Sequence, residues 1–166
     1  MLVVAVLAGA GVYWFQPWKL WTDEEVNDAL PQASASSSSG VSGGPGAAGP
    51  RTVARGGLIS HEHATTGSVK VVELPDGSRT LRLENLDTSN GPDLRVWLTD
   101  APVKEGVAGW RVFDDGKYVS LGKLKGNKGD QNYPIPADVR LDDFTSVAIW
   151  CDRFDVSFGA AELSRI

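Results

Sequence analysis

The 166-residue chain predicts an all-β domain, a β-sandwich of about seven to nine short, mainly antiparallel strands, behind an N-terminal membrane helix and a flexible linker. Three observations predict it. Between residues 55 and 166, short runs of β-branched and aromatic residues alternate with Gly, Pro and Asp turn signals. No segment there carries a capped 3.6-residue apolar period. Ahead of it stand an uncharged apolar run and a Ser/Gly/Pro-rich stretch. A small barrel is the alternative closure of such strands.

Met1 to Phe15 has no charged residue, and Val3, Val4, Val6, Leu7, Val12, Trp14 and Phe15 make it apolar. A helix over residues 1–18 would be about 27 Å long, slightly short of a ~30 Å hydrocarbon layer. No Lys or Arg precedes the run, so a start further upstream is expected. The nearest small-residue cleavage pattern, Ala33-Ser34-Ala35, lies far from the run, which favours a retained anchor over a cleaved signal peptide. Trp14, Trp18 and Trp21 then fall where an aromatic belt would lie. In residues 19–30, Thr22-Asp23-Glu24-Glu25 reads as a capping box opening a short juxtamembrane helix. Residues 31–54 read as a linker, and the twenty or so residues to Pro50 would span about 25 Å.

Within the folded domain, Ser68 to Leu74 is β-branched, and Asp76-Gly77 signals a hairpin into Arg79 to Leu83. There Leu81 and Leu83 point inward, and Arg82 and Glu84 outward. Gly91-Pro92-Asp93 introduces the strand Leu94 to Thr99. Lys117 to Leu121 and Asn132 to Ile135 are shorter strands, joined by a turn-rich Lys123 to Asp130. Thr145 to Cys151 and Phe154 to Gly159 form a final hairpin around Asp152-Arg153. The first of this pair is apolar on both faces, with Val147, Ile149 and Cys151 on one and Ala148 and Trp150 on the other. A central, doubly covered strand has that pattern.

Composition removes several chemistries. The net charge of −5 offers no basic footprint for nucleic acid. One cysteine excludes an intrachain disulfide and a Cys-rich zinc site, and two histidines exclude a His-only metal triad. The only methionine is Met1. No Ser–His–Asp or Cys–His–Asn pattern supports a hydrolase, so a redox or binding module is favoured over one.

Cys151 is the candidate redox thiol, and Arg153 is the nearby positive group that could favour its thiolate. The competing reading is a buried cysteine that acts as a small hydrophobe. His61-Glu62-His63 places two imidazoles on one side of an extended chain, where with Cys151 they could hold copper or zinc. Before Thr65-Thr66-Gly67 the same pattern also reads as a hydrogen-bonding corner. Trp97 and Trp150 sit inside strands and read as core, whereas Trp110 lies in a loop and is the best exposed contact for a ligand. Lys123 to Asp130 has the glycines of a phosphate loop but not its pattern.

Residues 57–163 resemble a DM13 domain. The carriers are His63 with Thr65-Thr66-Gly67, then Gly91-Pro92-Asp93-Leu94, then Leu121 to Asn127 with Gly129-Asp130-Gln131-Asn132-Tyr133, and finally Ile149-Trp150-Cys151-Asp152-Arg153-Phe154 with Val156, Phe158, Gly159 and Ala160. The resemblance implies a DOMON-related β-sandwich with an electron-transfer or redox role centred on Cys151, and it fits an anchored, bacterial, extracytoplasmic protein that meets a redox partner protein. Copper is admissible as a cofactor. Haem bound in the Met/His manner of DOMON-like domains is disfavoured, because the domain has no methionine. The alternative is a non-catalytic ligand-binding or adhesion module with a structural cysteine.

Overall fold

The computed structural model describes residues 11–13, 16, 18, 22–31 and 49–166. Eleven strands are seen among them: β1 Glu25–Asn27, β2 Arg51–Gly57, β3 Ile59–Ser60, β4 Thr66–Glu73, β5 Arg79–Asp87, β6 Leu94–Thr99, β7 Tyr118–Lys123, β8 Lys128–Ile135, β9 Ser146–Cys151, β10 Val156–Glu162 and β11 Ser164–Arg165. They form two sheets, ordered β1-β8-β5-β4-β2-β11 and β3-β10-β9-β6-β7. Every pairing is antiparallel except β1 with β8.

One apolar core takes side chains from both sheets, which gives a sandwich-like arrangement. Val69, Val71, Leu81, Leu83 and Tyr133 come from the first sheet, and Val96, Leu98, Val147, Ile149, Cys151 and Val156 from the second. The period-2 assignment of β9 holds on both sides. Trp150 and Ala148 leave the core and form a second cluster with Trp97, Ala101, Phe113 and Ala160. Ala101 and Phe113 lie in the β6–β7 connection, which therefore covers the outer face of this sheet. Trp97 and Trp150 stack with their rings 5.0 Å apart, as core tryptophans.

The last hairpin contains a bulge. Val156 opposes Cys151 and Ser157 opposes Trp150, but Gly159 then opposes Ile149. The extra residue, Phe158, keeps its ring in the main core while Ala160 returns to the outer face. Gly159 is required here, because a Cβ would lie 2.6 Å from Thr65 Cγ2 and 2.8 Å from the Ile59 carbonyl.

Three expectations change. Residues 25–27 are a strand, not part of a juxtamembrane helix. Asp23 and Asp28 bind Lys128 and Lys125 across the β8 edge, so the tertiary partner outweighs the local capping preference. The linker expected to reach residue 54 ends earlier, since β2 begins at Arg51 and pairs with Glu73. β8 begins at Lys128, inside the stretch expected to be a turn-rich connection, because β5 and β1 flank it. Of the expected anchor, residues 11–13 are helical and most of the rest lies outside the described residues, as does the linker over 32–48. Among the described residues no helix is long and apolar enough to cross a membrane.

Candidate thiol site around Cys151

Cys151 ends β9, opposite Leu94 of β6 and Val156 of β10. It is fully buried and unpaired as a disulfide. The turn that follows is tied back by the Asp152 amide donating to the Asp93 carbonyl at 3.0 Å and by Phe154 donating to the Cys151 carbonyl at 3.2 Å. Burial pushes the thiol pKa up; amide N–H groups of Arg153, Phe154 and Asp93 favour the thiolate without offsetting that burial, and the Glu62 charge adds to the rise. The exposed, activated thiol that Arg153 suggested is therefore not what the fold makes. Arg153 contributes its backbone amide.

His63 sits on this side of the sheet. Its ring lies 4.0 Å from that of Phe158, and its Nε2 is 3.9 Å from Glu62. Phe158 belongs to the same core as Cys151, and a Cβ on Gly91 would meet the Phe158 ring at 3.1 Å. His63 and Gly91 thus pack on Phe158, a member of the core that also takes Cys151. Thr65 Oγ1 lies 2.9 Å from the Phe158 carbonyl and 2.7 Å from Thr88 Oγ1, which locks the corner.

His61 goes elsewhere. Its Nε2 is 3.1 Å from the Lys104 carbonyl, which can only accept, so Nε2 carries the proton. In the neutral ring, Nδ1 then accepts from the Ser157 hydroxyl at 2.8 Å. Its ring stacks on Phe113 at 5.6 Å, among the groups of the outer face rather than those around Cys151. Both ring nitrogens are occupied, and the structure does not bring His61, His63 and Cys151 together. Among the described residues no group of three His, Cys, Asp or Glu is placed to hold a metal ion. Trp110, expected as an exposed contact, is half-buried and packs against the main core. Its carbonyl accepts from the Ser157 amide at 2.8 Å.

Burial lowers the His61 pKa below its ordinary 6.5, and the Lys104 carbonyl only partly opposes this. The unfolded chain therefore binds a proton that the folded chain refuses, between 6.5 and the lower folded value. Stability is complete above that window and falls as pH drops through 6.5, by up to about 1.4 kcal/mol per pH unit. Urea midpoints measured at about pH 7.5 and about pH 5.5 should show this loss, and His61→Gln should flatten it. An unchanged slope in the variant would assign the effect to other groups.

A two-sheet β domain with a single buried thiol at a strand end, and a histidine–carboxylate pair near it, defines the class. Residues 57–163 match the family model described as "Electron transfer DM13", and the chain belongs to the DM13 family. Comparison with curated proteins and with solved structures gave no match.

Proposed function

We propose that this chain is a membrane-anchored, extracytoplasmic electron-transfer module whose redox-active group is the Cys151 thiol, serving a redox partner protein. The observation that carries the reading is the setting of the sulfur, which is sealed in an apolar core yet met by the amide N–H groups of Arg153, Phe154 and Asp93. Amides directed at a buried sulfur stabilise the thiolate once its proton has left, whether to a base or displaced by a bound cation. A metal form of this reading would hold copper through Cys151, although no group of three ligating side chains is placed together among the described residues. The uncharged run over residues 1–15 and the tryptophans beyond it support the anchor.

Voltammetry of the full chain, before and after addition of one equivalent of copper, tests the reading. A reversible couple that disappears in Cys151→Ala supports it. No couple in either form, or one unchanged in the variant, overturns it. The second reading, a ligand-binding module with a structural cysteine, is favoured by the complete burial of Cys151. Under it, Cys151→Ala alters stability alone.

A further inference from the structure

The β7–β8 connection and the start of β8, with Gly126 and Gly129, accept a further strand. Within residues 22–31, β1 pairs with β8 in parallel through Glu25 with Lys128, Val26 with Gly129 and Asn27 with Asp130. The Lys128 amide donates to the Glu24 carbonyl at 3.2 Å, and the Asp28 amide to the Asp130 carbonyl at 2.9 Å. Asn127 Oδ1 accepts from the Glu24 amide at 2.7 Å.

Two glycines open the room for this strand. A Cβ on Gly126 would lie 2.3 Å from the Glu24 carbonyl oxygen, and one on Gly129 would lie 2.1 Å from that of Val26. Gly129 also has φ +91°, a conformation that side chains disfavour. Charge then sets the register. Asp23 meets Lys128 at 2.8 Å, while Asp28 meets Lys125 at 2.6 Å and accepts from the Asn132 amide at 2.8 Å. Arg82 donates to the carbonyls of Asp28 and Ala29 at 3.1 and 3.3 Å.

The strand itself is separable. None of residues 22–31 enters either apolar cluster. It makes the one parallel pairing among the described residues. The family match over 57–163 contains every acceptor residue named here and none of the strand. Its hold is polar, and mostly at the surface, where ion pairs are weak and screened by salt.

We propose that the β8 edge, with Gly126, Asn127, Gly129, Asn132 and Arg82, is an acceptor site for an extended acidic peptide, and that residues 22–31 are its intramolecular ligand. Recognition is by strand addition, with two carboxylates spaced as Asp23 and Asp28 are and running parallel to β8. Tethering keeps the site filled at an effective concentration on the order of millimolar, so a competing acidic strand must bind better than that.

The test uses detergent-solubilised full chain with a protease site in place of Ser36 to Ser39. After cleavage, a fluorescent peptide of residues 22–31 is added and its anisotropy read. The expected result is binding to the cleaved chain, weaker by about tenfold for a peptide with Asp23→Asn and Asp28→Asn, and weaker by about tenfold or more in the uncleaved chain. Gly129→Ala in the cleaved chain should also abolish binding. If that variant does not fold, the two peptides carry the test. Equal binding of both peptides overturns the proposal. So does release of the native fragment only when the sandwich unfolds, which would make residues 22–31 an obligate strand.

Discussion

In the folded chain Cys151 reacts with a small maleimide or iodoacetamide at least about 10³-fold more slowly than in the urea-unfolded chain. The sulfur is fully buried, Val156 and Leu94 lie opposite it on the flanking strands, and burial holds the thiol protonated above its ordinary range. Reagent and thiolate therefore meet only after an opening event. The residual rate should rise with urea along the unfolding transition, and at fixed urea it should rise with pH beyond the usual thiol range. Stoichiometric labelling of the native chain within minutes at neutral pH would show that the end of the sandwich opens on its own. The consequence for function is direct. Thiol–disulfide exchange needs a partner's sulfur to reach this one, and a closed core forbids it. An electron-transfer role for Cys151 must therefore work through the groups that cover it.

Replacing Arg82 by alanine lowers stability by about 2–4 kcal/mol. Only 4% of this residue is exposed, although it lies on the outer face of its sheet. Its guanidinium binds Asp130 at 2.5 Å, Glu84 at 3.1 Å and Asn132 Oδ1 at 2.9 Å, besides the two carbonyls of the N-terminal strand. Removing it leaves two carboxylates that share a reduced set of cations, since Lys70 still reaches Glu84 at 2.6 Å. Arg82→Lys should recover only part of the loss, because an ammonium cannot span the same planar set of acceptors. Urea unfolding of the three proteins checks this. A loss below about 0.5 kcal/mol for the alanine variant would mean that these bonds are no better than those to water.

How much of this could be read from the residues differs from element to element. The Asp76-Gly77 hairpin is legible because the turn demands its own chemistry, and Gly77 does take φ +80°. The two faces of β9 are legible because residues 147–151 carry no charged or amide side chain and are buried on both sides. β3 and β11, with two residues each, carry no period at all and exist only as partners of β10 and β2. His61 and His63 share a side in any extended chain, but the corner at Thr65 sends one to Phe158 and the other to Ser157. Arg153 is expected as a charge beside the thiol and Trp110 as an exposed contact. One acts through its backbone amide, and the other packs on the core.

An all-β domain, its central strand and the DM13 resemblance are legible in the residues alone. These follow from local turn chemistry and period-2 burial, which act over a few residues. Long-range contacts set the rest: Cys151 is closed to solvent, His61 and Cys151 part company, and residues 25–27 form a strand rather than a helix. Each depends on groups brought together from distant positions: Lys104 with His61, Asp93 with Cys151, and Gly129 with Val26. Such proximities leave no trace in the spacing of residues along one chain.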